Sequence, residues 1–263
     1  MTDNKSATQK QWEIKCSQIT DMMKVHTRPF ITPLSKETEE RVWLEGSGSY
    51  LCLAGQRVLL TCEHVSKSGA LDYRFNGSEN VYRVSQGIVE SRSLDISYAC
   101  LNDQAWNATK HQADTIPYER FAPMHRLVNP CEPVFFHGFS GENSGFAFET
   151  LTSNASAYLS QQKADVTADE KIFEVFWEPQ ETAFTESTTQ AERATVRHDS
   201  SGGFSGSLVW NTRFLETTAQ GKEWTPDDAV VTGLLRRWDT GTKTLLVLRV
   251  EHLRKWIEEM LKP

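Results

Sequence analysis

The sequence predicts an all-β chain built as two halves of short antiparallel strands, with a helix at each end. Three observations carry this. Between residues 41 and 101, and again from 133 to 250, short runs rich in Val, Leu, Tyr and Phe alternate with Gly, Ser and Asn. A polar, proline-containing stretch, 102–130, separates the two series. At both ends the apolar spacing changes to that of a helix.

At the N-terminus, residues 1–10 are polar. Trp12, Cys16, Ile19 and Met23 then recur at helical spacing, and Ser6 with Gln9 suits a capping box. Residues 1–40 are expected to be an extension that packs on the surface, and a regulatory partner could dock there. The first half, 41–101, offers strands at 41–45, 48–53, 57–62, 70–75, 80–84 and 94–101. Residues 102–130 connect it to the second half, 131–250. That half has apolar segments at 133–138, 146–152, 156–161, 172–178, 206–210, 229–236 and 244–250. The longest irregular stretch, 179–202, has the length of a functional or gating loop. The tail 250–261 sets Val250, Leu253, Trp256, Ile257, Met260 and Leu261 on one helical face. The outline is two six-stranded halves of similar size, and a cleft at such a seam is a natural substrate site.

Composition narrows the function. A chain of 263 residues with 38% hydrophobic and 24% charged residues buries a core. The net charge of −7 argues against general nucleic-acid binding, which needs a basic face. No apolar run is long enough to cross a membrane, and the first ten residues lack an apolar secretion signal. The five cysteines, Cys16, Cys52, Cys62, Cys100 and Cys131, are odd in number and lack metal-type spacing. Free thiols in a reducing compartment are expected, and the −7 charge with the lack of an export signal suggests the cytosol of a bacterium. No metal or organic cofactor is expected.

Three segments carry chemistry. VLLTCEHV, 58–65, runs from an apolar strand into His64. SLDISYACL, 93–101, places Asp95 at the entrance of an apolar strand, where a carboxylate needs a partner. SSGGFSGSLVW, 200–210, flanks Ser205 with glycines. Glycine freedom at 202 and 203 lets the Gly203 and Ser205 N–H groups converge as an oxyanion hole. Each segment is ordinary alone: a packed histidine, a turn aspartate, a Gly-Ser turn. Together they supply the nucleophile, base and orienting acid of acyl transfer.

In this order the blocks resemble those of the trypsin-like serine peptidases. VLLTCEHV is similar to their LTAxH block, LDISYACL to their DIxLxxL block, and GGFSGSLV to the nucleophile block of bacterial glutamyl endopeptidases. VVTGLLRRW, 230–238, resembles the strand bordering the S1 pocket, and VLRVEHLRKWI, 247–257, the last strand and helix. The likeness spans about residues 41–258. It implies two six-stranded antiparallel β-barrels, with Ser205 as nucleophile, His64 as general base and acid, and Asp95 as orienting acid. It also implies a protein or peptide substrate. Phe204 departs from the pattern, for trypsin-like zymogens carry an aspartate there that pairs with a freed N-terminus. Activation by N-terminal cleavage is therefore not expected. Leu208 replaces a proline, and Val65 a disulfide cysteine.

Asp199, six residues before Ser205, matches the aspartate at the base of a pocket for Arg or Lys side chains. Arg236 and Arg237 fall near the pocket wall. An Asp199–Arg236 pair would neutralise the pocket, and His198 is a further lining candidate. Gly138-Phe139-Ser140-Gly141 repeats the GFSG pattern too early in the chain and is expected to be a turn. The order Ser205, Asp239, His252 would also suit an α/β-hydrolase, but the βα units are missing. A catalytically idle protease fold used as a binding module is the alternative from another class.

Overall fold

The computed structural model describes residues 6–37, 42–67, 69–84, 86–147, 150–164, 169–197 and 199–262. The first sheet contains β1 (Ile31–Glu37), β2 (Val42–Leu53), β3 (Gln56–Thr61), β4 (Leu71–Arg74), β5 (Val81–Val84), β6 (Ile88–Ser91), β7 (Ile96–Cys100) and the short β8 (Ile116–Pro117). Its order is β5-β4-β1-β2-β3-β7-β6, with β8 parallel to β2. The second sheet contains β9 (Pro133–Ala147), β10 (Thr150–Gln161), β11 (Ile172–Phe176), β12 (Leu208–Asn211), β13 (Val230–Asp239) and β14 (Thr244–Arg249). Its order is β10-β9-β12-β13-β14-β11. The chain is thus mostly β in two sheets, antiparallel apart from β8, consistent with a double β-barrel with helices at both termini.

The first sheet has eight strands rather than six, and it begins at Ile31 rather than at residue 41. β1 escapes sequence periodicity because Pro33 interrupts it and Thr32 and Ser35 are polar yet buried. It pairs with β2 from Ile31↔Ser49 to Glu37↔Val42, but meets β4 in register only at Ser35↔Asp72. The Thr32 hydroxyl fills the gap. It donates to Arg74 O at 2.8 Å and accepts from Arg74 N at 3.1 Å. The connector 102–130 holds β8 and a short helix, Asp103–Ala108, capped by the Asn102 side chain.

The N-terminal helix, Ala7–Thr27, begins where the Ser6 hydroxyl accepts from Gln9 N at 3.1 Å. Ile19 and Met23 are buried, and Trp12 packs on Phe214 with ring centroids 6.3 Å apart. The helix lies against β9 and β10 of the second sheet. It also meets the irregular stretch after β11, which contains a short helix, Gln190–Thr195. There Glu186 N donates to Ser17 Oγ (2.8 Å) and Ser187 Oγ to Asp21 Oδ1 (2.6 Å).

The C-terminal helix, Val250–Met260, follows β14 directly and joins the two halves. It buries Val250, Leu253, Trp256 and Ile257, while Met260 and Leu261, expected on the same face, are exposed. Trp256 meets Tyr98 of β7 edge-on at 5.5 Å. One large apolar core spans both halves; a second lies inside the second sheet around Phe136, Phe173, Val209 and Leu235.

His137 of β9 is fully buried beneath the end of the N-terminal helix, with Nδ1 2.8 Å from Thr27 Oγ1. Burial, with help from the Arg28 and Lys24 charges, pushes its pKa down to about 3. The unfolded chain takes up this proton near the ordinary value of about 6.5. Stability is therefore whole above that pH and falls as the pH drops towards 3, by up to about 1.4 kcal/mol per pH unit. Melting curves between neutral and acid pH should show this loss in the wild type and a shallower one in His137→Gln. Equal slopes would mean that other groups set the acid limit.

Candidate active site

His64 and Asp95 meet because β3 and β7 are neighbours. Thr61 pairs with Ser97, so the residues just beyond these strand ends fall side by side. His64 sits in the one-turn helix Glu63–Ser66 that follows β3. Asp95 precedes β7 in a left-handed turn conformation, φ 56°, which aspartate tolerates better than most residues. His64 N donates to Asp95 Oδ1 at 3.0 Å, and its Nδ1 lies 2.9 Å from both carboxylate oxygens. That arrangement keeps the proton on Nδ1 and leaves Nε2 to act as a base.

The Asp95 side chain is 12% exposed. Burial works to raise its pKa, but the His64 imidazole and backbone bonds, the imidazole charge and the Arg236 bond together hold it below the ordinary carboxylate value. Glu63 does not point into solvent. Its side chain is 12% exposed and lies 3.7 Å from Arg92 Nε. Cys62 is buried beside the pair, its thiol donating to Leu235 O at 3.3 Å, and burial raises its pKa well above the ordinary value.

The segment around Ser205 is held by both sheets. Ser47 of β2 donates its N–H to Ser205 O and its hydroxyl to Gly203 O, both at 2.8 Å. The same hydroxyl accepts from Phe139 N at 2.9 Å. Gly206 N donates to Leu235 O at 2.9 Å. Two positions demand glycine. At Gly203, φ 101°, an added Cβ would lie 2.7 Å from both Leu44 Cδ2 and Phe139 O. At Gly206, φ 93°, it would run into Ser47 O and Thr61 Oγ1.

Gly141 N donates to Gly202 O at 2.7 Å. The Gly202 carbonyl and the Gly203 N–H belong to one planar trans peptide, so fixing the carbonyl turns the N–H the opposite way. Among the described residues, neither the Gly203 N–H nor the Ser205 N–H has a protein acceptor. Two such donors beside a serine are what a developing oxyanion requires.

Phe204, between them, points the other way into the second core and is fully buried. Its ring meets Phe136 and Tyr158 edge-on at 5.5 Å and Trp177 at 5.9 Å. An apolar plug thus anchors the segment at the position where the resemblance implies an aspartate in zymogens.

Ser205 Oγ donates to the Arg236 carbonyl at 2.7 Å. The Arg236 side chain reaches Asp95, with Nε 3.3 Å from Oδ2. His64, Asp95, Arg236 and Ser205 therefore form one hydrogen-bonded cluster. Arg236 is not paired with Asp199 at a pocket wall, because a bulge in β13 redirects it. Leu235 pairs with Val247 and Arg237 with Leu246, leaving Arg236 as the extra residue. Arg237 and Asp199 are exposed, and Asp199 has no ion-pair partner among the described residues. His198 lies outside the described residues.

The second GFSG is no turn. Gly138–Gly141 continues β9, and Ser140 is 1% exposed, its hydroxyl accepting from Glu142 N at 3.3 Å. The hydrolase ordering also fails: Asp239 accepts from Gly241 N, His252 lies on the C-terminal helix, and the sheets are antiparallel.

No protein-family model matches the sequence, and no curated protein matches it. Solved structures do match. Neuropsin, a serine protease of mouse brain, has TM-score 0.52 at 12% identity, covering 90% of this chain and 96% of that one. The Rv3671c protein of M. tuberculosis, in an inactive form, has TM-score 0.52 at 12% identity, covering 94% and 95%. The fold is that of the chymotrypsin-like serine proteases. A serine endoprotease from Yersinia pestis adds TM-score 0.51 at 11% identity, covering 92% of this chain and 66% of that one. At these identities the likeness is one of fold. In this chymotrypsin-like frame the His64–Asp95 pair lies at the ends of β3 and β7, and Ser205 in the segment before β12. Among the described residues, no helix is long and apolar enough to cross a membrane.

Proposed function

We propose that this chain is a serine endopeptidase that cleaves peptide bonds through an acyl-enzyme. The observation that carries it is the hydrogen-bonded cluster of His64, Asp95, Arg236 and Ser205 beside the unpaired N–H groups of Gly203 and Ser205. In the first step Ser205 Oγ attacks the scissile carbonyl carbon as His64 Nε2 takes its proton. The carbonyl oxygen becomes an oxyanion between the Gly203 and Ser205 N–H groups. The protonated His64, held by Asp95, then gives that proton to the leaving amine. Water repeats the sequence on the acyl-enzyme and frees Ser205.

For specificity we propose a basic P1 side chain. With Arg236 occupied by Asp95, the charge of Asp199 is not neutralised by it. A panel of fluorogenic peptides varied at P1 should show faster cleavage after Arg and Lys, and Asp199→Asn should reduce that preference. Equal rates across the panel, or a preference for acidic P1, would contradict it. We also propose a cytoplasmic, reducing setting and a narrow substrate range. The five cysteines are free, which suits such a setting. Digestion of a broad set of unrelated folded proteins would contradict the narrow range.

One observation favours a second reading, a latent or idle site used for binding. Ser205 Oγ is bonded to the Arg236 carbonyl rather than to His64. In the peptidase reading, the hydroxyl leaves that carbonyl for His64 when substrate binds. In the latent reading it stays, and no serine-directed reagent reacts.

A further inference from the structure

Arg236 contributes to the cluster at two points, and both follow from the bulge. An unbroken β13 would give Arg236 a ladder partner and a fixed face. As the extra residue between Leu235 and Arg237, it has no partner on β14, so its carbonyl is open to Ser205 Oγ at 2.7 Å. Its side chain, 21% exposed, places Nε 3.3 Å from Asp95 Oδ2. Asp95 already accepts three contacts from His64, two of them through Nδ1. The guanidinium thus completes the carboxylate's set of donors from the side away from the first sheet.

We propose that Arg236 is a positioning residue of the triad, which fixes the Asp95 carboxylate and offsets its charge towards His64. The consequence for catalysis rests on the peptidase reading; the measurement below does not. A carboxylate beside an imidazole favours the imidazolium, and a cation on the same carboxylate opposes it. The other groups facing the pair are few. Cys62 lies with its sulfur within 4.8 Å of the His64 and Asp95 donor atoms and carries a proton. Glu63, beside His64 in sequence, has Arg92 as its own partner at 3.7 Å. Arg236 is the cation that contacts Asp95 directly.

This role differs from that of a pocket wall. A pocket residue changes KM according to the P1 side chain. A residue acting through Asp95 changes the pH dependence of kcat, whatever the P1.

The test is a histidine titration by NMR, with the imidazole carbons labelled and His64 assigned through a His64→Gln sample. Wild type is compared with Arg236→Gln and Arg236→Lys. The His64 midpoint should rise in Arg236→Gln by about half to one pH unit, as expected for losing a part-buried cation near the pair. Arg236→Lys, which keeps the charge but not the guanidinium geometry, should lie between. Equal midpoints in wild type and Arg236→Gln, to within about 0.2 unit, or a fall, would overturn the proposal. If Arg236→Gln melts far below the wild type, Arg236→Lys carries the comparison: a raised midpoint supports the proposal, and an unchanged or lowered one overturns it. With peptide substrates, the acid limb of kcat should move with the midpoint, a loss of about three- to tenfold below it. KM should hold across P1 variants, and a P1-dependent rise in KM with an unmoved acid limb would overturn the proposal. A wild type that cleaves nothing defeats the peptidase reading, while the titration still decides the role of Arg236.

Discussion

Asp95→Asn is expected to leave the chain folded and to lower kcat by about 10⁴-fold, with KM little changed. The carboxylate accepts from His64 N and, through both oxygens, from Nδ1. An asparagine offers one accepting oxygen and a donating NH₂. Where the NH₂ faces Nδ1, the imidazole proton moves to Nε2, and the base that should receive the Ser205 proton is already occupied. The same substitution removes the charged partner of Arg236. Steady-state kinetics on one good peptide substrate checks this. A loss of only a few-fold would mean that Asp95 does not set the state of His64.

Phe204→Ala is expected to cost about 3–5 kcal/mol of stability, as for other buried phenylalanines. In a chain of this size that lowers the melting temperature by on the order of 10 °C. The ring packs against Phe136, Tyr158 and Trp177 in the second core. Activity should suffer beyond the stability loss, because the residues on either side are Gly203 and Ser205. A segment that slackens there misplaces both oxyanion donors and the nucleophile. A displacement near 1 Å lowers kcat on the order of 10²-fold. Thermal melts and kinetics below the variant's transition separate the two effects. A destabilised variant with undiminished kcat would show that Ser47 and Gly141 suffice to hold the segment.

The three residues proposed as a triad stand out in the sequence because each sits in a short block with its own local signal. His64 ends an apolar strand, Asp95 begins one, and Ser205 lies among glycines. The adjacency of β3 and β7 then follows from antiparallel pairing. Features that depend on contacts distant in sequence were not legible. Pro33 and the buried polar residues of β1 hide a strand whose pairing is completed by the Thr32 hydroxyl. The GFSG at 138–141 looks like a turn, yet it is extended and braces the Ser205 segment through Gly141, and through Phe139 by way of Ser47. The largest miss is Arg236. Period-two alternation places its side chain by strand position, and a one-residue bulge redirects it to Asp95. Ser47 was missed for the same kind of reason. It falls in a Gly-Ser break between two expected strands and carries no signal until the Gly203 carbonyl is beside it.

If Ser205 is an activated nucleophile, it reacts with a fluorophosphonate probe. Wild type, Ser205→Ala and Ser140→Ala are treated in parallel, and the adduct is located by mass spectrometry. An adduct is expected on Ser205 in wild type and in Ser140→Ala, and none in Ser205→Ala. An unlabelled wild type, or an adduct that persists in Ser205→Ala, would contradict it.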